Sequence, residues 1–302
     1  MFFTIERKTI FSRIVFIFIA FAFLLSNSEL AEARHKAYDK HKEVEAAEAA
    51  EPIYPDLGLT ASAAIVIDAE DGSVLYEKNA DVQLYPASLT KMMTCILALE
   101  LGNRDDIVTI SRDAQNVEST FLHTGVQVRL FDLIQQMMLV SDNAAATALA
   151  EYIAGSQQAF ADLMNAKALK IGTTNTYFIN ANGMPHRFQV SSARDMALIA
   201  QYGMKNRLFR NIVGTQCKYI TWLYPETTID FWNTNELLYV DPTVTGIKTG
   251  YTLAAGYCLA ASAERNGREL IAVVMHSRDY DSRFNECAAL FDYCFGNISS
   301  GN

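Results

Sequence analysis

The sequence predicts an α/β (α+β) domain in which an antiparallel sheet, built from both ends of the chain, carries an inserted lobe of helices. Asp71-Gly72 and Asn266-Gly267 each separate two short apolar runs, and such dipeptides signal hairpins because the turn demands positive φ. Between those hairpins the apolar period changes from two to the three and four of amphipathic helices. Strands at both ends with helices between them imply one sheet completed across the sequence. The active site is expected in the crevice where sheet and lobe meet.

Each element follows from its local pattern. Ala63 to Ala69 and Ser73 to Lys78 form the first hairpin. Helices are expected over Ser88 to Leu101, Leu130 to Leu139, Ala144 to Ala154, Gln157 to Leu169 and Ala193 to Lys205, so the helical lobe occupies about 102–240. A β-like segment from Val244 to Tyr251 leads into the second hairpin, Tyr257 to Ala263 and Glu269 to His276. The last stretch, Ser282 to Phe295, puts Phe284, Cys287, Leu290, Phe291 and Cys294 at helical spacing and suits a helix packed on the sheet.

Residues 1–33 read as a signal peptide. Arg7, Lys8 and Arg13 precede an apolar run from Ile14 to Leu25, too short to span a bilayer comfortably, and Ala31-Glu32-Ala33 offers the small residues of a cleavage site. An uncleaved anchor, giving peripheral membrane association, is the alternative. Residues 34–52 are charged and alanine-rich with no apolar face, hence a linker. Residues 53–297 are expected to form the globular domain, with 298–302 a tail.

Half of the 302 residues are hydrophobic, enough for a sizeable core, and the net charge of −9 argues against nucleic acid as a partner. The cysteines at 95, 217, 258, 287 and 294 include no C-x-x-C pair and read as small buried hydrophobes. The five histidines, at 35, 41, 123, 186 and 276, show no ligand spacing. Neither metal nor cofactor is expected.

Three short motifs carry chemistry. Ser88 and Lys91, in ASLTK, lie at i and i+3 and share a helix face. A serine hydroxyl needs a base, and a lysine serves as one only when desolvation or nearby positive charge lowers its pKa. Ser141-Asp142-Asn143 sits between two apolar helices; it offers a hydroxyl and an amide to a cleft, although all three residue types also cap helices. Lys248-Thr249-Gly250 lies on the strand entering the late hairpin. There a lysine and a hydroxyl can receive a carboxylate, and glycine permits close backbone approach. Each motif alone is common by chance. Together, in this order and on these elements, they are specific.

With these motifs, and with PASLTKMMT, SSARDMALIAQYGM from Ser191 and TGIKTGYTLAAGYCLAASA from Thr245, the chain resembles the low-molecular-mass penicillin-binding proteins, the D-alanyl-D-alanine carboxypeptidases of serine peptidase family S11. The resemblance covers most of the globular region and implies a β-lactamase/penicillin-binding-protein-like fold. It implies that Ser88 forms an acyl-enzyme, Lys91 takes its proton, Ser141 relays protons and Asn143 holds the substrate amide. Lys248 and Thr249 would receive a terminal carboxylate beside Gly250, with the N–H groups of Ser88 and Tyr251 as oxyanion hole. Arg278 and Arg283 are candidates to assist the carboxylate.

The implied partners are peptidoglycan stem peptides, with β-lactam antibiotics as covalent inhibitors, on the periplasmic or extracellular side of the membrane. Asp142 is the spelling shared with class A β-lactamases, an alternative along with D,D-endopeptidase activity. No E-x-x-L-N-type element lies between Glu151 and Lys248 to supply a deacylating glutamate. A non-catalytic peptidoglycan-binding scaffold has no need of the serine–lysine pair.

Overall fold

A computed structural model describes residues 54–300. The expected signal segment and the linker lie outside the described residues. Strands β1 (Ala63–Asp68) and β2 (Val74–Lys78) form the first hairpin, and β7 (Val244–Thr252), β8 (Gly256–Arg265) and β9 (Arg268–Ser277) the last meander. They join in a five-stranded antiparallel sheet of order β2-β1-β9-β8-β7. β1 pairs with β9 from Ala63↔Met275 to Asp68↔Leu270, so the two ends of the domain meet at the middle of the sheet. Asn266 and Gly267 both take positive φ, 54° and 77°, as the hairpin signal requires.

The sheet is covered on both faces, which explains its near-continuous apolar strands. Along β9, Ile271, Val273 and Met275 join the core shared with the helical lobe. Leu270, Ala272 and Val274 join the core under helix α9 (Ser282–Ser300), with Phe284, Leu290 and Phe291. This is the period of two expected of a pleated strand.

The lobe contains α1 (Lys91–Leu101), α2 (Arg112–Gln115), α3 (Leu130–Leu139), α4 (Asn143–Ala154), α5 (Gln157–Ile171), α6 (Ala193–Met204), α7 (Arg207–Val213) and α8 (Leu237–Val240). Two small hairpins, β3 (Ile107–Thr109) with β4 (Gln127–Arg129) and β5 (Cys217–Leu223) with β6 (Glu226–Trp232), complete it.

Two expectations need correction. Ser88 does not open an α-helix; it lies in a 3-10 turn, Ala87–Thr90, and the α-helix begins at Lys91. Four cysteines are buried, but Cys217 is partly exposed at the start of β5, where its strand has neighbours on one side only.

Glu286 of α9 fastens the sheet to its outer helix. Its Oε1 accepts from Thr60 N at 2.5 Å, Thr60 Oγ1 at 2.7 Å and Ala61 N at 3.1 Å, and its Oε2 accepts from Ser277 Oγ at 2.6 Å. Removing a buried acceptor leaves donors unsatisfied. Glu286→Leu is therefore expected to cost about 3 kcal/mol of unfolding free energy in urea titration.

Candidate active site

The site forms where α1, the α3–α4 junction and β7 converge. Pro86 precedes the 3-10 turn, and Ala87 takes φ of 47°, a left-handed conformation costly for a residue with a Cβ. Two glycines hold that turn in place. A Cβ on Gly183 would lie 2.0 Å from Ala87 O, and one on Gly250 would lie 3.1 Å from Ser88 N and 3.2 Å from Pro86 O. The turn that carries Ser88 is thus clamped between a loop of the lobe and the edge strand of the sheet.

Lys91 is fully buried beneath Ser88. Its Nζ lies 2.9 Å from Ser88 Oγ, 2.6 Å from Asn143 Oδ1 and 2.5 Å from Asn182 O. Asn143 Nδ2 donates to Glu118 O at 2.8 Å, which fixes the amide with its oxygen toward the lysine. Burial drives the Lys91 pKa well below its ordinary value; the Lys248 charge adds to this and the Asp142 carboxylate opposes it.

Asp142 is fully buried and structural. Its carboxylate caps α4 by accepting from Ala145 N at 3.0 Å, and also accepts from Thr120 Oγ1 at 2.8 Å, Phe121 N at 3.0 Å and Gln136 Nε2 at 3.0 Å. It ties the 119–122 loop to the junction. Ser141, beside it, sits at φ of 62° and faces the cleft.

The cleft measures about 650 Å³ and is walled by Ser88, Ser141, Asn143, Thr234, Thr249 and Arg283 among others. A neighbouring hollow of about 840 Å³ shares Glu118 and Met184 with it but holds no nucleophile beside a base. Thr249, Gly250 and Tyr251 line the cleft from β7, the terminal strand of the sheet.

Lys248 does not line it. This residue is buried behind the strand, with Nζ donating to Thr249 O at 3.0 Å. Burial, reinforced by the Arg283 charge, brings its pKa down to about 7.

The two arginine candidates separate. Arg278 is exposed and pairs with Asp279 at 2.9 Å, while Arg283 is buried at the cleft wall. Its guanidinium lies 4.4 Å from the Tyr280 ring centroid, 4.6 Å from that of Phe284 and 5.4 Å from that of Tyr257. Its Nη1 donates to Gly250 O at 3.4 Å, and its buried Nε has no partner among the described residues.

Asn182, Glu118 and Thr234 escaped the sequence reading. The first two act through backbone carbonyls, which leave no side-chain signature. Thr234 Oγ1 lies 2.6 Å from Thr249 Oγ1; its only signal is a polar triplet, Asn233-Thr234-Asn235, shaped like the one at Ser141. Among the described residues no cluster of His, Cys, Asp and Glu could hold a metal.

The two-sided antiparallel sheet with its helical lobe is the fold of the D,D-peptidases of the penicillin-binding class. The sequence pattern of the D-alanyl-D-alanine carboxypeptidases, peptidase family S11, matches residues 46–279, and the chain belongs to that family.

It is 35% identical over 249 residues to the D-alanyl-D-alanine carboxypeptidase DacF of Bacillus subtilis, covering 80% of this chain and 63% of the relative. To DacA of Escherichia coli K12 it is 39% identical over 251 residues, 78% of this chain and 61% of the relative. The chain therefore spans less than two thirds of these relatives' length.

Among solved structures, the carboxypeptidase DacD of Francisella tularensis superposes with a TM-score of 0.72 at 32% identity, covering 80% of this chain and 71% of that one. The Streptomyces K15 DD-transpeptidase gives 0.76 at 29% identity, covering 81% and 99%.

The Lys248 environment makes a stability prediction. Its folded pKa, about 7, lies below its ordinary 10.5, so between these values the unfolded chain binds the extra proton and stability rises with pH. Below about 7 both states are charged and the burial cost is at its fullest. Lys248→Met removes it, so the variant should melt above wild type at neutral pH. The gap should close as pH approaches 10.5. Melting curves whose separation does not change with pH would contradict this.

Proposed function

We propose that the protein is a serine-type D-alanyl-D-alanine carboxypeptidase that removes the terminal D-alanine from peptidoglycan stem pentapeptides through an acyl-Ser88 intermediate. The observation that carries this reading is the environment of Lys91 Nζ. A neutral amine has two N–H groups and one lone pair. Asn143 Oδ1 and Asn182 O are acceptors only, so they claim both N–H groups and leave the lone pair toward Ser88 Oγ. With its pKa lowered, Lys91 is a base aimed at the nucleophile.

In the proposed cycle Ser88 Oγ attacks the carbonyl carbon between the two D-alanines while its proton passes to Lys91 Nζ. The N–H groups of Ser88 and Tyr251 stabilise the oxyanion. The proton then reaches the leaving amine through Ser141, whose hydroxyl faces the cleft. Asn143 holds the substrate amide, and D-alanine departs as the C–N bond breaks. Water, deprotonated by Lys91, then releases the shortened peptide from Ser88.

The leaving D-alanine carries a carboxylate. The Thr249 hydroxyl and the Gly250 backbone line its pocket, and the buried Arg283 and Lys248 behind them support it with positive field.

A β-lactam acylates Ser88 by the same attack, but its ring-opened amine stays tethered. Rapid release would need a dedicated base for the water. The position next to Lys91 is taken by the Asn182 carbonyl rather than by a carboxylate, which favours an inhibited peptidase over a β-lactamase.

Peptidoglycan lies outside the cytoplasmic membrane, so we further propose export directed by residues 1–33. Among the described residues no helix is long and apolar enough to cross a membrane.

Wild-type protein should release D-alanine from a stem pentapeptide, and Ser88→Ala should abolish both this and covalent labelling by fluorescent penicillin without lowering Tm. Lys91 must be neutral to accept the proton, so kcat/KM should fall about tenfold per pH unit below its lowered pKa. Fast nitrocefin turnover, or a wild type that releases no D-alanine, would overturn the assignment.

A further inference from the structure

We infer that Thr234 is a positioning residue for the carboxylate pocket, acting through Thr249; the inference rests on a substrate carboxylate binding at Thr249, as proposed above.

Thr234 is presented to the cleft by a loop whose two asparagine side chains are committed to backbone groups. Asn233 Nδ2 donates to Val213 O at 3.2 Å and Thr215 O at 3.0 Å, and its Oδ1 accepts from Asn235 N at 2.9 Å. Asn235 Nδ2 donates to Gly246 O at 2.8 Å, and its Oδ1 accepts from Leu237 N at 3.3 Å. Both asparagines are buried, and Thr234 N itself donates to Leu139 O at 3.0 Å. The loop is pinned to α7, β7 and the end of α3, and Thr234 lines the cleft.

There Oγ1 of Thr234 meets Oγ1 of Thr249 at 2.6 Å. Two hydroxyls in contact hold two protons; one is used between them and one is left for the cleft. When Thr234 is the donor, it fills a lone pair of Thr249 and turns the Thr249 proton outward. That proton then faces an anion already attracted by Lys248 and Arg283. Without Thr234 the Thr249 hydroxyl rotates freely, and part of the ordering needed to receive a carboxylate is lost on binding. The role is one of ground-state recognition, so it should appear in KM rather than in kcat.

The test is a double-mutant cycle over wild type, Thr234→Val, Thr249→Val and the double variant, with Thr234→Ser as the hydroxyl-retaining control. Thr234→Val should raise KM for the stem pentapeptide about tenfold, the loss of roughly one hydrogen bond to a charged group, with kcat held within about twofold. Thr234→Ser should remain close to wild type. In the Thr249→Val background the same change should have little further effect, because its route to the substrate is gone.

Equal losses in both backgrounds, or a fall in kcat at constant KM, would overturn the inference. Thr234→Ala repeats the cycle should the valine variant misfold. The second-order rate of acylation by radiolabelled benzylpenicillin, which carries its own carboxylate, is measured on the same proteins. Coupling in that rate from a wild type inactive on pentapeptide would reject the carboxypeptidase reading and leave Thr234 standing. Additivity in that rate would reject Thr234 alone.

Discussion

Lys91 is an amine held in the interior without a carboxylate bonded to it, and much of the domain is arranged around that fact. Desolvation destabilises its charged form, and the two carbonyl acceptors fix the orientation of the amine. Each acceptor is in turn held from elsewhere. Asn143 is fixed by Glu118 O, and Asn182 belongs to a loop locked by the buried Gln189, whose Oε1 accepts from Ile179 N and Asn180 N. The buried Asp142 carboxylate nearby works against neutrality, but its oxygens are occupied by four donors that hold the 119–122 loop and the start of α4. A change at any of these positions would be felt at the serine through the amine, without touching the serine itself.

The second arrangement is steric. Ala87 and Ser141 both occupy left-handed backbone conformations, and both flank groups that face the cleft. Such conformations persist only when their surroundings over-determine them. For Ala87 the surroundings are Gly183, where a methyl group would collide with the turn, and Gly250, where one would be tightly crowded against it. Three chain segments far apart in sequence therefore set the position of one hydroxyl.

Much of this was legible in the sequence, for identifiable reasons. The two Asp-Gly and Asn-Gly hairpins, the Leu130–Leu139 helix and the sheet closed by both chain ends follow from backbone preference and apolar period, which are local properties. The β5–β6 hairpin was not legible, because Ile220, Trp222 and Phe231 alone are buried along its fourteen positions, and most of the rest is polar or exposed aromatic. In the site, Ser88, Lys91, Ser141 and Thr249 announce themselves through side-chain chemistry. The carbonyl of Asn182 has no such signature, and the burial of Lys248 behind its strand, like that of Arg283 at the cleft wall, depends on packing from α9 and the sheet that no short motif encodes.

The pairing of β1 with β9 joins residues about two hundred positions apart. Contacts of such sequence separation form late, since the loop must close before they are rewarded. A chain emerging from its amino terminus would have Ser88 and Lys91 at an early stage, but β7, Gly250 and Arg283 only once nearly all of the domain had been delivered. The turn that carries Ser88 would then remain unclamped, and the cleft beside it unwalled, throughout chain growth. Maturation of the site is in this way coupled to completion of the fold, a timing written into topology.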